Sequence, residues 1–252
     1  MSAADIVLLV VAGLLGGGIN SVAGGGSLIV FPALLATGLG TVAANVTNSV
    51  AQWPGYVGAV LGFRTELAGQ RGRLIGLSLS AILGSILGCV LLLTTPASAF
   101  DAVVPILVLL ASLLLAVQPW LSRRISPPTD GDPTARRLPL WLAVFAGSVY
   151  GGYFGGALGV ILIGILALTV HDSLRRINAL KSALSLVVST VTVVAFALFG
   201  PVDWLAVAVV APAALIGGFL GARVARRLND RVLRWCVVVF GVAVAIYLFV
   251  TS

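Results

Sequence analysis

Read as apolar and polar positions, the chain is a succession of uncharged stretches separated by short polar loops. The first stretch runs from Ile6 to Ala36, yet its middle reads Gly16-Gly17-Gly18-Ile19-Asn20-Ser21-Val22-Ala23-Gly24-Gly25-Gly26-Ser27. Glycine weakens a helix, and backbone amides left unpaired in hydrocarbon cost several kcal/mol each. Such a break persists only where protein or a water-filled cavity shields it. The arms Ile6–Gly18 and Ser27–Thr37 each reach roughly 15–20 Å at ~1.5 Å per residue, against a hydrocarbon core of ~30 Å. The pattern predicts a helical hairpin dipping into a bilayer, with its glycine tip near mid-depth. One long tilted helix with a glycine packing face is the alternative.

Spans are predicted next at Thr41–Phe63, Leu74–Leu93 and Phe100–Trp120, followed by a linker rich in arginine and proline from Arg123 to Pro139. The pattern then restarts. Leu140–Gly155 and Gly159–Val170 make a second glycine-broken pair, and Leu174–Phe199, Trp204–Ala225 and Val232–Val250 complete it. The halves align without a gap at an offset of 133 residues, which places Gly18 on Gly151, Gly26 on Gly159, Asn45 on Asn178, Ser49 on Ser182, Gly84 on Gly217 and Gly88 on Gly221. Paired Asn and paired Gly in one register indicate an internal duplication. The expected units are an N-terminal repeat over 1–120, a cytoplasmic linker over 121–139 and a C-terminal repeat over 140–252.

Charge orients this arrangement. Basic residues concentrate in loop 64–73, the linker, Arg175–Arg176 and 223–234, whereas loops 38–41, 94–101 and 200–203 carry none. With basic loops inside, every loop obeys the rule only if each broken pair returns to the side it came from. Both termini then lie outside and equivalent loops lie on opposite faces. The fold expected is an all-α polytopic membrane protein of two inverted repeats, each a glycine-broken helical hairpin followed by three transmembrane helices. Such architecture places a transport site at mid-membrane between the repeats. Composition agrees, with 60% hydrophobic and 9% charged residues. The net charge of +7 resides in loops, so no nucleic-acid partner is expected. Cys89 and Cys236 lack metal-ligand spacing, and no metal or cofactor is expected.

The candidate chemistry lies on two matching stripes. Asn45, Asn48, Ser49 and Gln52 fall at i, i+3, i+4 and i+7 on one helix face; Asn178, Lys181, Ser182, Ser185 and Ser189 repeat the stripe in the second half. Lys181 is the only lysine and the only charge well inside a predicted span. An intramembrane cation points to function, with snorkelling to the near interface as its bland counterpart. For the asparagines the counterpart is interhelical hydrogen bonding. The returning arms begin near Ser27 and Gly159, so their positive N-termini face the tips Gly24-Gly25-Gly26 and Gly155-Gly156. Asn20, Ser21, Ser27, Tyr150 and Tyr153 would add donors. All eight carboxylates lie in or beside loops, so the expected solute is a small anion. An enzyme is not expected, since no His or carboxylate accompanies the buried hydroxyls as a base. An anion channel, or a proton-coupled permease for another small organic anion, would use the same donors.

At these residues the sequence resembles the sulfite exporter TauE/SafE family of membrane permeases. The resemblance rests on Asn20-Ser21-Val22-Ala23-Gly24-Gly25-Gly26-Ser27, Pro32-Ala33-Leu34-Leu35 and Thr47-Asn48. In the second half it rests on Tyr150-Gly151-Gly152-Tyr153-Phe154-Gly155-Gly156 and Arg175-Arg176-Ile177-Asn178-Ala179-Leu180-Lys181. The resemblance implies two repeats of about four spans and export of a sulfur-containing anion, such as sulfite, sulfoacetate or a related organosulfonate. It also implies a bacterial inner membrane; beyond solute and bilayer, a homodimer is left open. Ala157 and Leu158 stand where the first half has Gly24 and Gly25, and Ile165 replaces the counterpart of Pro32. The second hairpin thus departs from the family pattern.

Overall fold

A computed structural model describes residues 1–124, 137–170, 172–224 and 230–251. Among these the chain forms helices and no strand: α1 Ala3–Val22, α2 Ser27–Ala36, α3 Thr41–Ala51, α4 Trp53–Gly62, α5 Arg71–Thr94 and α6 Ala97–Arg124 in the first half. The second half contributes α7 Arg137–Phe154, α8 Leu158–Thr169, α9 Leu174–Phe199, α10 Trp204–Val224 and α11 Asp230–Thr251. Helices α1, α5, α6, α9 and α10 are long and apolar enough to cross a bilayer, and the protein is an all-α polytopic membrane protein. The middle of the expected linker, residues 125–136, lies outside the described residues.

Two expectations change. The first arm does not stop at Gly18: α1 continues through Gly16–Gly18 for 20 residues, about 30 Å at ~1.5 Å per residue, enough to cross. Its glycines are a packing face. A Cβ at Gly13 would lie 2.9 Å from the Val210 carbonyl oxygen, and one at Gly17 would fall on the Ala214 carbonyl of α10. The helix cost of these glycines is offset by close backbone approach. The break comes later, over residues 23–26, after which α2 turns back so that Val30 and Gly26 lie against Gly16. The second change is the span at Thr41–Phe63, which divides at Gln52 into α3 and α4. Pro54 is the physical cause: it has no N–H for the Val50 carbonyl, and its ring crowds that carbonyl. The aligned position is Val187, and α9 runs unbroken through it.

Packing follows the same offset that aligned the sequence. Helix α1 pairs with α10, and their counterparts α7 and α5 pair likewise; α4 packs on α10, and α9 on α5. Contacts also give directions. Gly13 meets Val210 and Gly18 meets Gly221, so α1 and α10 run parallel; Gly84 meets Phe145 and Gly88 meets Val149, so α5 and α7 do too. Trp53 bonds to Thr190 while Phe63 packs on Ala179, so α4 and α9 are antiparallel.

Charge segregates to the two ends. The Arg73–Asp172 and Arg176–Asp172 ion pairs, at 2.8 and 2.9 Å, tie the start of α5 to the start of α9. Gln70 adds a bond to the Arg176 carbonyl. Burial pushes the Asp172 carboxyl up, but bonds from Arg176, Arg73 and the Ser173 amide together hold it below the usual carboxylate range. Arg64 follows α4, Arg71 opens α5, Arg175 lies in the first turn of α9, and Arg223 lies in the last turn of α10 beside the same end. Asp5 and Asp203 stand where the parallel helices α1 and α10 begin.

Candidate functional site

A helix ends with carbonyls that have no intrahelical partner. In α1 two of these, at Asn20 and Ser21, are met from the other half of the chain. The Ile19 carbonyl accepts from the amides of Ala23 and Gly24. Lys181 Nζ donates to the Asn20 carbonyl at 2.7 Å, and Asn178 Nδ2 donates to the Ser21 carbonyl at 2.9 Å. Lys181 is 1% exposed, so it does not snorkel. Its ammonium sits at the negative end of the α1 dipole, a placement favourable on its own. The second half repeats the device, since Asn45 Nδ2 donates to the Tyr153 carbonyl at the end of α7 at 2.9 Å. Thus the aligned asparagines each cap the broken helix of the opposite half. The position aligned with Lys181 is Asn48, buried, its Oδ1 without a protein partner.

The tips themselves meet. Asn20 Oδ1 accepts from the Gly26 amide at 2.8 Å, which folds the break back onto α1. Gly24 has φ +87°, and a Cβ there would lie 2.5 Å from the Gly159 carbonyl carbon. Only glycine supplies that backbone together with that approach. Leu28, Ile29 and Val30 donate back to the Gly25 and Gly26 carbonyls, leaving Ser27 at the positive end of α2.

Beside the tips lies a cavity of about 20 Å³, room for about one water molecule. Both halves line it: Ser27, Ser49, Gln52 and Tyr56 from the first, and Gly151, Gly155, Leu158, Val188, Ser189 and Thr192 from the second. Gln52 is 1% exposed, yet neither Nε2 nor Oε1 has a protein partner, and the same holds for Ser189 Oγ. Buried polar atoms of this kind call for an explanation, and a solute path is one. A Cβ at Gly16 would lie 3.1 Å from Gln52 Nε2, so that glycine makes room for the amide.

Of the expected site residues, Ser27, Ser49, Gln52 and Gly155 come together at this cavity. Asn20, Ser21, Asn178 and Lys181 form the adjoining cap, where Ser21 Oγ also donates to the Gly218 carbonyl at 2.7 Å. Gly24, Gly25 and Gly26 are buried in the first tip and Gly156 in the second. Ser182 donates to the Asn178 carbonyl one turn back, and Ser185 Oγ is buried without a protein partner. The tyrosines sit elsewhere. Tyr150 packs edge-on to Phe154 and reaches the Leu107 carbonyl of α6, while Tyr153 packs on Phe100. Tyr56 and Thr192 were missed as site residues. They prolong the two stripes by one step, at i+4 from Gln52 and i+3 from Ser189, which is the signal that finds them.

Comparison with known proteins agrees with this architecture. A family model described as sulfite exporter TauE/SafE matches residues 9–248. A probable membrane transporter protein, YfcA, of Escherichia coli K12 is 30% identical over 226 residues, covering 88% of this chain and 79% of that one. A probable membrane transporter protein of Haemophilus influenzae is 26% identical, covering 93% and 90%. One from a Sinorhizobium species, ORF9, is 24% identical, covering 96% and 92%. No solved structure matches.

Proposed function

The chain belongs to the sulfite exporter TauE/SafE family, and on that premise we propose that it is a secondary transporter exporting a small sulfur-containing anion. Sulfite, sulfoacetate or a related organosulfonate is the cargo, and a bacterial inner membrane is the setting. The observation that carries this reading is the buried polar cavity at the meeting point of the tips. It is lined by both halves, flanked by the positive end of α2, and holds an amide and a hydroxyl with no protein partner. Transporter sites are built from discontinuous helices at a repeat interface. Here the breaks at 23–26 and 155–157 meet beside the cavity, next to the kink at Gln52 between α3 and α4.

The two halves act as inverted repeats in this reading. Support comes from helix direction: α4 runs opposite to its counterpart α9, while α1 keeps company with α4 and α7 with α9. The arginine-rich end faces the cytoplasm by the positive-inside rule. At about 20 Å³ the cavity is too small for a four-atom oxyanion, so the solute enters only as the tips part on one side or the other. Purified protein in proteoliposomes tests this. Saturable counterflow of sulfite or sulfoacetate, weakened by Gln52→Ala, is expected. Ion-channel currents without counterflow would replace the transporter with a channel. Absence of flux for every sulfur anion tried would discard the substrate class.

A further inference from the structure

The cavity lies off-centre. Along α9 its wall residue Thr192 is about 10 Å from the end at Phe199 but about 27 Å from the start at Leu174, at ~1.5 Å per residue. It is thus nearer the end that carries Asp101 and Asp203 than the arginine-rich end. The 133-residue offset gives it a counterpart on the other side: Gln52 aligns with Ser185, Ser49 with Ser182 and Tyr56 with Ser189. Gln52 lies about 16 Å from the start of α3 at Thr41, and Ser185 about 16 Å from the start of α9, which enters from the opposite end.

This counterpart is built like the cavity wall but is closed. Ser182 Oγ donates to the Asn178 carbonyl at 2.9 Å, as Ser49 Oγ does to the Asn45 carbonyl. Ser185 is fully buried and its Oγ has no protein partner, as the Gln52 amide has none. Neither Ser182 nor Ser185 lines the cavity, whereas Tyr56 and Ser189, which align with each other, both do. Among the described residues, unpartnered buried atoms recur along the two stripes: at Asn45, Asn48 and Gln52 on the first, and at Asn178, Ser185 and Ser189 on the second. Each such group costs on the order of 1–3 kcal/mol. Bonding between helices would have left no such atoms; a solute that visits both stripes in turn accounts for them.

In an inverted-repeat molecule the halves are one fold in opposite orientations, so exchanging their conformations turns access from one side into access from the other. That exchange takes Gln52 out of the wall and brings Ser185 into it, while Tyr56 and Ser189 trade places and stay. We propose that Ser182 and Ser185 form a second solute position, filled when the protein opens at its arginine-rich end, and that it takes the same small anion as the cavity. Lys181 stands one turn from Ser185 on α9, where the cavity has neutral Asn48 at the matching place. The second position therefore has an ammonium beside it. This rests on the transporter reading above and on its inverted repeats.

The test measures sulfite flux by the intact protein in membrane vesicles of both orientations, so that each end meets sulfite in turn. Inverted vesicles present the arginine-rich end. Gln52→Ala is expected to raise KM for sulfite offered at the outer end, and Ser185→Ala that for sulfite offered at the arginine-rich end. Each rise should be about tenfold, the scale of one hydrogen bond to a charged group, with KM at the other end unchanged. A serine that serves only packing would not sort by side. Should Ser185→Ala fail to fold, Ser185→Cys in a chain carrying Cys89→Ala and Cys236→Ala gives the answer. A membrane-impermeant thiosulfonate reagent, applied and washed out before sulfite is added, should stop its transport only from the arginine-rich end. Ser185→Ala that leaves both KM values unchanged or raises both alike overturns this inference and leaves the transporter standing. So does Ser185→Cys blocked from the outer end, or from neither end. Wild-type vesicles that move no sulfur anion overturn the transporter reading and this one together.

Discussion

Lys181 carries the one ammonium buried among the described side chains, and its nearest acceptors are backbone carbonyls of another helix. An ammonium is donor-only, so the end of α1, with carbonyls to spare and a negative dipole, is a natural partner. This makes Lys181 a cap joining the halves, adjacent to the cavity and not in its wall. Removing it leaves the Asn20 carbonyl buried without that donor. Lys181→Met is therefore expected to lower stability by about 2 kcal/mol, the range for a hydrogen bond to a charged group, and to reduce transport through disorder of the tip. Lys181→Asn, which copies the aligned Asn48, should recover part of the stability. Thermal unfolding in detergent checks both. A Lys181→Met protein that melts with wild type but has lost flux would return the ammonium to a direct role with the solute. The sequence marked Lys181 as exceptional but could not name its partner, because a backbone carbonyl has no side-chain signature.

Elements show where periodicity suffices and where it fails. Runs of apolar residues placed most helices within a few positions, as with Leu74–Leu93 against Arg71–Thr94, because hydropathy in a bilayer reports directly on the helix. The extent of α1 was not legible. Glycine propensity argues for an early break at Gly16–Gly18, and only the backbone of α10 lying against Gly13 and Gly17 overrides it. The stripe residues Ser49 and Gln52 do reach the cavity, whereas Tyr150 and Tyr153 turn to α6 and to Phe100, a choice made by packing and invisible in spacing. The α3–α4 division is where the halves differ most simply, since Pro54 faces Val187 in the alignment. A proline-free backbone here is compatible with the fold, as α9 demonstrates. Pro54→Val should join α3 to α4 and turn Gln52 away from the cavity. Stability is expected to hold or rise while transport falls ~tenfold or more, an added barrier of about 1.4 kcal/mol. Counterflow rates beside melting curves measure this. Unchanged flux would mean the division is incidental to the solute path.

At the scale of the whole molecule, the charge distribution bears on the driving force of the proposed export. Asp5, Asp101 and Asp203 lie toward one end of the helices, and Glu66 and Asp172 toward the other. The described interior holds no acidic group for a sodium ligand or a proton relay, the usual means of coupled uptake. The membrane potential is the lever that the proposed exporter would use. An inside-negative potential drives a monoanion outward with ~2.3 kcal/mol per 100 mV, and a dianion with about twice that. For the anion exporter proposed above, the potential alone would be a sufficient driving force. The expected outcome in proteoliposomes is sulfite efflux that speeds up with a potassium–valinomycin potential, with neither a pH nor a sodium gradient present. Charge moved per sulfite exported, read from the accompanying potassium flux, tells a monoanion from a dianion. Efflux indifferent to potential yet obedient to a pH gradient would place a proton in the transport step, and Lys181, beside the cavity, would be the group to substitute next.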